Sequence, residues 1–598
     1  MFCRDEGYRT VYTTRRRSGL VADPPESASR RTHPLDLSPC FPPWCVTPDS
    51  CEEMPRHREA IMTPNSGRLR GEQLARRIAS PWAIIAILLM AFALRTINLN
   101  GRPLWYDEAF SVLYAEQSFE TMFYGTVTQV DGAAAEEHPL FFYFVLHFWM
   151  ELVGQSPFAV RILSVLLGTA TVAMVYRLAR QLFDGRIGLL AAFLTALVPF
   201  HVYYSQEARM YSLLGFVAIS ATYFFVRAWS GGRWLDWLAF GVTGALTLYA
   251  HNLGFVLIFG LDLWVLWCWF RPGGRRWQNL RPLILSHLLM LILFAPGLSI
   301  LPSQFGKIQR AYWVQRPDLT TIIQTFLVFH FGYDNQALPT WLLPPALFLS
   351  LLLPAFLALR LIRARAPHRW SLAYALLLLL AIFPPLIVFV LSQVQPVYIV
   401  RAFLPSALAY YVLVAGGLGI RAVPRPIRWV LMLSAMTIAV ASLVNHYTYA
   451  LFPRSPFDEA AAYLRANSQP GDAIVHSNKL TFLPAHYYDR SLPQAFIADE
   501  PGSPSDTLAY ATQQALGLFA TPDLATATEG HRRVWLVIFQ RAIDEYLALG
   551  YDGHPHRAWL EQHCVRVSTV TFNDLSVYEY DTCADLESSS YRSAGWSQ

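Results

Sequence analysis

The chain has 598 residues, of which 54% are hydrophobic and only 15% are charged, and its mean hydropathy is +0.30. Soluble domains carry about 25% charged residues, so this composition excludes an ordinary soluble protein. The net charge of +5 does not indicate nucleic-acid binding, because the arginines lie in short loops between apolar runs and form no continuous basic face.

The first 79 residues are rich in Pro, Ser, Arg and Thr and show no sustained periodicity. They predict a disordered, Arg-rich cytoplasmic tail. They contain no apolar stretch near Met1 of the kind that a signal peptide has. Met54 and Met62 are alternative starts, so whether residues 1–61 are translated stays open until the amino terminus is analysed by mass spectrometry.

Residues 80–450 are predicted to form a transmembrane domain, because their apolar runs approach the roughly 20 residues that cross a bilayer core. We expect about eleven spans. They are, in order, Pro81–Leu99, 158–178, 187–204, 211–228, 235–250, 254–270, 282–301, 341–361, 371–391, 402–420 and 427–446.

Positive charge decides the orientation of these spans. The main arginine clusters lie at 177–186, 227–233, 271–281, 360–369 and 421–428. All of them face the cytoplasm only if residues 100–157 form one long outer loop in which 139–153 is an interfacial helix and not a span. This orientation places the amino-terminal tail in the cytoplasm and the carboxyl-terminal domain outside it.

The carboxyl-terminal domain, residues 451–598, is predicted to be a small α/β domain. Phe457–Asn467 has the pattern of an amphipathic helix, and the apolar runs Ala473–Val475 and Val534–Ile538 have the pattern of strands. Outside the cytoplasm, Cys564 and Cys583 could form a disulfide.

Two adjacent carboxylates, Asp107 and Glu108, follow the first span and are flanked by Trp105 and Tyr106. The simpler interpretation is a solvated loop with an interfacial aromatic belt. The functional one is a base or a cation ligand at the membrane surface. Further along, His138 precedes a predicted helix start, where a phosphate is favoured, although helix capping explains it equally well.

A third group lies in the outer turn 199–211, where Glu207 and Arg209 approach the hydrocarbon. Charged residues there are interfacial or paired and functional. Arg401 lies at another outer turn, and a snorkelling arginine is the simpler interpretation for it. Because all these residues fall on the outer face, we predict that they handle a phosphate-bearing lipid.

The sequence resembles the GT-C glycosyltransferases, in particular the protein-mannosyltransferase-like branch that includes the aminoarabinose transferases of lipid A. The motifs that carry the resemblance are Trp105-x-Asp107-Glu108, His138-Pro139, Arg161-Ile-Leu-Ser-x-x-x-Gly168, Tyr203-Tyr-Ser-Gln-Glu-Ala-Arg-Met-Tyr211 and Arg401-Ala-Phe-Leu-Pro405. The likeness is strong over 80–230, weaker through 230–400, and returns near 397–412. Leu140 departs from the family pattern around His138.

The resemblance implies a role for each candidate. Asp107, with Glu108 beside it, corresponds to the acidic base or metal partner, and Glu207 to a second catalytic carboxylate. The residues matched to substrate and phosphate binding are His138, Arg161, Arg209 and Arg401. No cofactor is certain, and the resemblance leaves open a divalent metal ion held by Asp107 and Glu207.

The predicted protein is therefore an α-helical polytopic membrane enzyme with a GT-C-like transmembrane domain. It would transfer a hexose or pentose from a polyprenyl-phosphate donor to a hydroxyl of a lipid, glycan or protein on the outer face of the plasma (inner) membrane. The alternative is a transporter or flippase of lipid-linked substrates, but we find no clear internal repeat. A structural or binding protein would leave the acidic motifs unexplained.

Overall fold

The computed structural model describes residues 66–130, 133–134, 139–270, 277–310, 314–332, 340–356, 369–419, 424–448, 455–499 and 507–583. Residues 1–65, the greater part of the predicted disordered tail, lie outside this set. The chain divides into two units, Met1–Arg70 and Gly71–Gln598, and the features described below belong to the second.

The membrane part is built almost entirely of helices, joined to one small antiparallel pair of strands, β1 (Gln129–Val130) and β2 (Ala133–Ala134). In chain order the helices are α1 (Ser66–Thr96), α2 (Tyr106–Ala115), α3 (Phe119–Val127), α4 (Phe141–Val153), α5 (Pro157–Leu182), α6 (Gly185–Leu197), α7 (Pro199–Ser205), α8 (Tyr211–Trp229), α9 (Trp234–Ala250), α10 (Gly254–Trp269), α11 (Trp277–Arg310), α12 (Leu319–Phe331), α13 (Leu343–Leu347), α14 (Arg369–Leu391), α15 (Leu404–Leu418) and α16 (Arg425–Thr448).

The predicted membrane architecture is confirmed in outline. Within the described residues, six helices are long and apolar enough to cross a bilayer, or seven if α6 and α7 together make one span. Shorter apolar helices cover further predicted spans, for example Pro81–Thr96 and Gly254–Trp269. The total of about eleven spans stays a prediction.

Hydropathy alone distinguishes poorly between a membrane span and a short apolar helix such as α4 or α12. Helix α4 has 13 residues, about 20 Å at 1.5 Å per residue, and is too short for a core of roughly 30 Å. This length agrees with the interfacial helix predicted from the charges. Helix α12 also has 13 residues and was not predicted, because it is shorter than a span.

The predicted span 187–204 is not one straight helix, because α6 and α7 meet at an angle of 64°. The cause is Pro199, which lacks the N–H that would bond the Thr195 carbonyl. Arg95 replaces this donor: its Nη2 donates to Thr195 O and its Nη1 to Ala196 O, both at 3.2 Å. The buried arginine therefore completes the hydrogen bonding of the bend.

Arg95 also fixes the helix that follows the bend. Its Nε donates to Ser205 Oγ at 3.1 Å, and its Nη2 lies 2.6 Å from His201 Nδ1. Helix α5 passes so close that a Cβ on Gly168 would lie 2.1 Å from Ser205 Oγ. Only glycine fits there, and this explains the glycine at the end of the Arg161-to-Gly168 motif.

The carboxyl-terminal domain is an α/β fold, as predicted, around a five-stranded sheet in the order β4-β3-β5-β7-β6. Strands β4, β3 and β5 are parallel to one another. Strand β7 pairs antiparallel with β5 on one side and with β6 on the other. Its elements are α17 (Phe457–Asn467), β3 (Ala473–His476), α18 (Lys479–Tyr488), β4 (Gln494–Phe496), α19 (Tyr510–Leu516), α20 (Leu524–Thr528), β5 (Val534–Phe539), α21 (Gln540–Ala548), α22 (Pro555–His563), β6 (Val565–Phe572) and β7 (Leu575–Asp581).

The central strand β5 is buried on both faces, which explains its continuous apolar run. Val534 and Leu536 pack into one core, whereas Trp535 and Val537 pack into the other. Cys564 and Cys583 are joined by a disulfide, as the sequence suggested, and this bond links the start of β6 to the residues after β7.

The sheet domain is fixed to the first outer loop by α18 and the turn that follows it. Tyr488 Oη accepts a hydrogen bond from Leu104 N at 2.8 Å, and Tyr487 Oη donates to Gln155 O at 2.7 Å. Arg490 makes a bidentate contact with Glu116, at 3.0 and 2.5 Å. The domain thus contacts the loop that carries the first candidate carboxylates.

The bend at Pro199 gives a test of this packing. Arg95→Leu should lower the unfolding temperature of the detergent-purified protein, because each buried carbonyl left without a partner costs about 1–3 kcal/mol. Arg95→Lys should rescue only partly, since an ammonium has three donors and no planar fork. Arg186→Ala, at an exposed arginine, is the control and should change little. Equal unfolding temperatures for Arg95→Leu and this control would contradict the bracing role.

Candidate functional site

Glu108 and Arg161 form a buried ion pair near the amino-terminal ends of α2 and α5. Arg161 Nε donates to Glu108 Oε1 at 2.8 Å, and Nη2 donates to Oε2 at 2.7 Å. Both side chains are almost completely buried. A bidentate contact of this kind is among the strongest polar interactions in proteins, because two charged hydrogen bonds share one planar geometry.

The remaining donors of Arg161 bind the backbone of the loop after α1. Nη1 donates to Leu99 O at 2.8 Å and to Arg102 O at 2.7 Å, and Nη2 also donates to Pro103 O at 3.1 Å. A guanidinium has five N–H groups, and together with the two bonds to Glu108 all five are used. In this geometry Arg161 holds neighbouring segments of the protein together, and its predicted role in phosphate binding stays a prediction.

Glu108 in turn holds the segment between α7 and α8. Its Oε1 accepts a hydrogen bond from Ala208 N at 3.0 Å. Glu207 and Arg209 are the neighbours of Ala208 in the sequence. One buried carboxylate therefore connects the first outer loop to the second, and this connection brings together candidates that are about 100 residues apart.

Asp107 lies beside two arginines. Its Oδ2 is 3.1 Å from Arg401 Nη1 and 3.7 Å from Arg209 Nε. The side chains of Asp107 and Arg401 are 14% and 16% exposed, whereas that of Arg209 is only 3% exposed. The first two can therefore meet a ligand directly, and Arg209 lies behind them.

The two arginines are held in different ways. Arg209 Nη1 donates to Ser111 Oγ at 3.0 Å and to Asp107 O at 3.3 Å. The guanidinium of Arg401 lies 5.4 Å from the ring centroid of Tyr211, in a cation–π contact. Both positive charges are thus oriented by α2 and by the start of α8 before any substrate arrives.

Glu207 is 1% exposed, so its surroundings differ from those of Asp107. It lines a small cavity together with Arg102, Tyr203 and His446. The structure therefore places Glu207 in the same region as the other candidates but behind the accessible surface.

Sequence analysis assigned no role to Ser111 and Tyr211, although both contact the candidate arginines. Ser111 follows Asp107 by four residues on α2, and residues spaced by four share a helix face. That spacing is a signal that would have identified Ser111. Tyr211 lies within the quoted motif, but its contact with Arg401 spans 190 residues and no local pattern indicates it.

His138 lies outside the described residues, so its predicted contact with phosphate stays a prediction. Within the described part of the chain, no group of three or more His, Cys, Asp or Glu side chains is arranged to hold a metal ion. The metal role suggested for Asp107 and Glu207 likewise stays a prediction.

Comparison with known proteins gives one family-model match over part of the chain and a similarity of fold. Residues 137–300 match the family described as dolichyl-phosphate-mannose-protein mannosyltransferase. A search of the curated proteins by sequence gives no match.

Among solved structures, the chain is similar to ArnT from Cupriavidus metallidurans in the apo state, with a TM-score of 0.54 and 14% identity. It is also similar to the same protein bound to undecaprenyl phosphate, with a TM-score of 0.52 and 15% identity. Each alignment covers 84% of this chain and 98% of the other. The predicted resemblance is thus confirmed: the chain has the fold of the GT-C glycosyltransferases and resembles their mannosyltransferase-like branch.

Proposed function

We propose that the protein is a membrane glycosyltransferase that moves a sugar from a polyprenyl-phosphate donor to a hydroxyl group of an acceptor on the extracytoplasmic face. The observation that carries this proposal is the placement of Asp107 between Arg401 and Arg209. A carboxylate beside two oriented guanidinium groups matches a reaction that needs a base and a site for an anionic leaving group.

In this proposal Asp107 accepts the proton of the acceptor hydroxyl. The hydroxyl oxygen attacks the anomeric carbon of the donor sugar, and the bond from that carbon to the phosphate oxygen breaks. The electron pair leaves with the polyprenyl phosphate, whose charge Arg401 and Arg209 stabilise. A single displacement inverts the configuration at the anomeric carbon.

Donor binding would change the partner of Arg401. Arg401 is paired with Asp107. A phosphate carries more charge and more acceptor oxygens than one carboxylate, so it competes for the guanidinium. Arg401 then turns to the phosphate, and Asp107 becomes available to the acceptor hydroxyl.

Glu108 and Arg161 take positioning roles in this mechanism. All five donors of Arg161 are engaged within the protein, and Glu108 is completely buried. We therefore assign the pair to holding Asp107 and the 206–210 segment in place. Glu207 and His138 remain proposed site residues.

The disulfide supports the outer location of the sheet domain. Disulfides persist in oxidising compartments and are rare in the cytosol. The bond between Cys564 and Cys583 agrees with the orientation derived from the arginine clusters. Since α18 of this domain contacts Leu104, the loop carrying Asp107 lies on the same side.

Replacing the base tests the chemistry. Asp107→Asn should reduce transfer at least about 100-fold, the lower limit of a typical general-base contribution, because an amide does not take up the proton. The measurement is sugar transfer from radiolabelled polyprenyl-phosphate hexoses and pentoses to an envelope extract. Asp552→Asn, at an exposed aspartate of the sheet domain, is the control. Normal transfer by Asp107→Asn would rule out the base assignment.

Replacing Arg401 tests donor binding. Arg401→Ala should weaken binding of undecaprenyl phosphate roughly 10-fold or more, since a hydrogen bond to a charged group contributes about 1.5–3 kcal/mol. The dissociation constant is measured on purified protein, with exposed Arg316→Ala as the control. An unchanged dissociation constant would show that Arg401 does not hold the phosphate.

Arg161 should behave differently from Arg401. Arg161→Lys should lower both the unfolding temperature and the turnover number, because an ammonium has three donors where the guanidinium uses five, and each buried acceptor left without a partner costs about 1–3 kcal/mol. The dissociation constant for undecaprenyl phosphate should stay near that of the wild type. A selective loss of phosphate affinity at normal stability would instead restore Arg161 as a phosphate ligand.

A further inference from the structure

A polar groove lies between the sheet domain and the loop after α1. Its larger part has a volume of about 570 Å³, and a neighbouring cavity of about 280 Å³ adjoins it. Asp458 and Tyr488 line both cavities, so the two form one groove along α17. The larger volume lies within the range of about 300–1,000 Å³ that is typical of small-molecule sites.

The groove presents hydrogen-bonding groups from both sides. Asp458 and Glu459 come from the first turn of α17, Asn100 from the loop after α1, and Asn573 from the turn between β6 and β7. Among the described residues, these four side chains make no hydrogen bond or ion pair with protein groups. Their carboxylate and amide atoms are therefore available to a ligand, with acceptors in excess of donors.

Two aromatic side chains, Tyr488 and Phe572, complete the lining. The hydroxyl oxygen of Tyr488 accepts a hydrogen bond from Leu104 N. Burial raises the pKa of Tyr488 to about 12, so the hydroxyl stays protonated and has a hydrogen to donate. An aromatic ring with a polar tip offers an apolar face and a hydrogen bond to one ligand.

This combination matches the chemistry of a carbohydrate. Sugar hydroxyls donate to carboxylates and both donate to and accept from amides, while the C–H faces of the rings pack on aromatic side chains. The two carboxylates repel phosphate, sulfate and uronate groups, so the groove disfavours an acidic ligand. We propose that the groove binds a neutral glycan and that this glycan is the acceptor of the proposed transfer reaction, on which the second part of this inference rests.

The position of the groove supports an acceptor role. Tyr488 contacts Leu104, which precedes Asp107 by three residues, and Pro103 both lines the groove and accepts a hydrogen bond from Arg161. A glycan in the groove therefore lies along the loop that carries the proposed base. The membrane-embedded donor does not need this surface, since its phosphate is assigned to Arg401 and Arg209.

The experiment measures binding separately from transfer. Full-length protein in lipid nanodiscs is applied to an array of neutral oligosaccharides, acidic oligosaccharides and peptides. The wild type should bind neutral glycans, and the double variant Asp458→Ala/Glu459→Ala should lose at least about 10-fold in affinity, equal to roughly 1.4 kcal/mol. The matched control is Glu529→Ala/Asp552→Ala, which removes two exposed carboxylates elsewhere on the same domain.

Unfolding temperatures of all variants check that the domain stays folded, because acidic residues in a first turn also stabilise α17. As a second variant, Tyr488→Phe should weaken glycan binding while Asp458 and Glu459 are intact. Binding of peptides or acidic glycans alone, no glycan binding by the wild type, or equal binding by both double variants would overturn the proposal. The Asp107→Asn variant distinguishes this inference from the proposed function, because it should lose sugar transfer and still bind the glycan.

Discussion

The arrangement of the candidate site depends on the buried ion pair between Glu108 and Arg161. An unpaired charge at that depth would be very costly, so the pair persists only with complete hydrogen bonding. Arg161 achieves this by binding three loop carbonyls, and Glu108 by accepting from Ala208 N. Since Asp107 precedes Glu108 and Arg209 follows Ala208, the same bonds place a carboxylate beside a guanidinium.

A second buried arginine, Arg95, also joins separate segments of the chain by hydrogen bonds. Arg95 supplies hydrogen bonds to the carbonyls that Pro199 leaves without a helical partner. The resulting bend turns α7 away from the axis of α6 by 64°. In the segment after α7, Ala208 and Arg209 bind residues of α2.

Much of the fold followed from sequence because it rests on local patterns. The bounds of α17 agree with its amphipathic period, and the strands β3 and β5 agree with their apolar runs. Charge distribution predicts that α4 is interfacial, and its length of 13 residues agrees with that prediction. The pairing of Glu108 with Arg161 was missed because a sequence separation of 53 residues leaves no local signal. The bend was missed because the span was drawn as one helix over 187–204, although Pro199 lies inside that range and the turn 199–211 was predicted to begin there.

A structure of the protein with undecaprenyl phosphate bound tests the central claim most directly. The account predicts that the phosphate oxygens lie within hydrogen-bonding distance of Arg401, that the Asp107–Arg401 pair has opened, and that the five hydrogen bonds of Arg161 are unchanged. A phosphate bound by Arg161, with Glu108 displaced and the Asp107–Arg401 pair still closed, would contradict it.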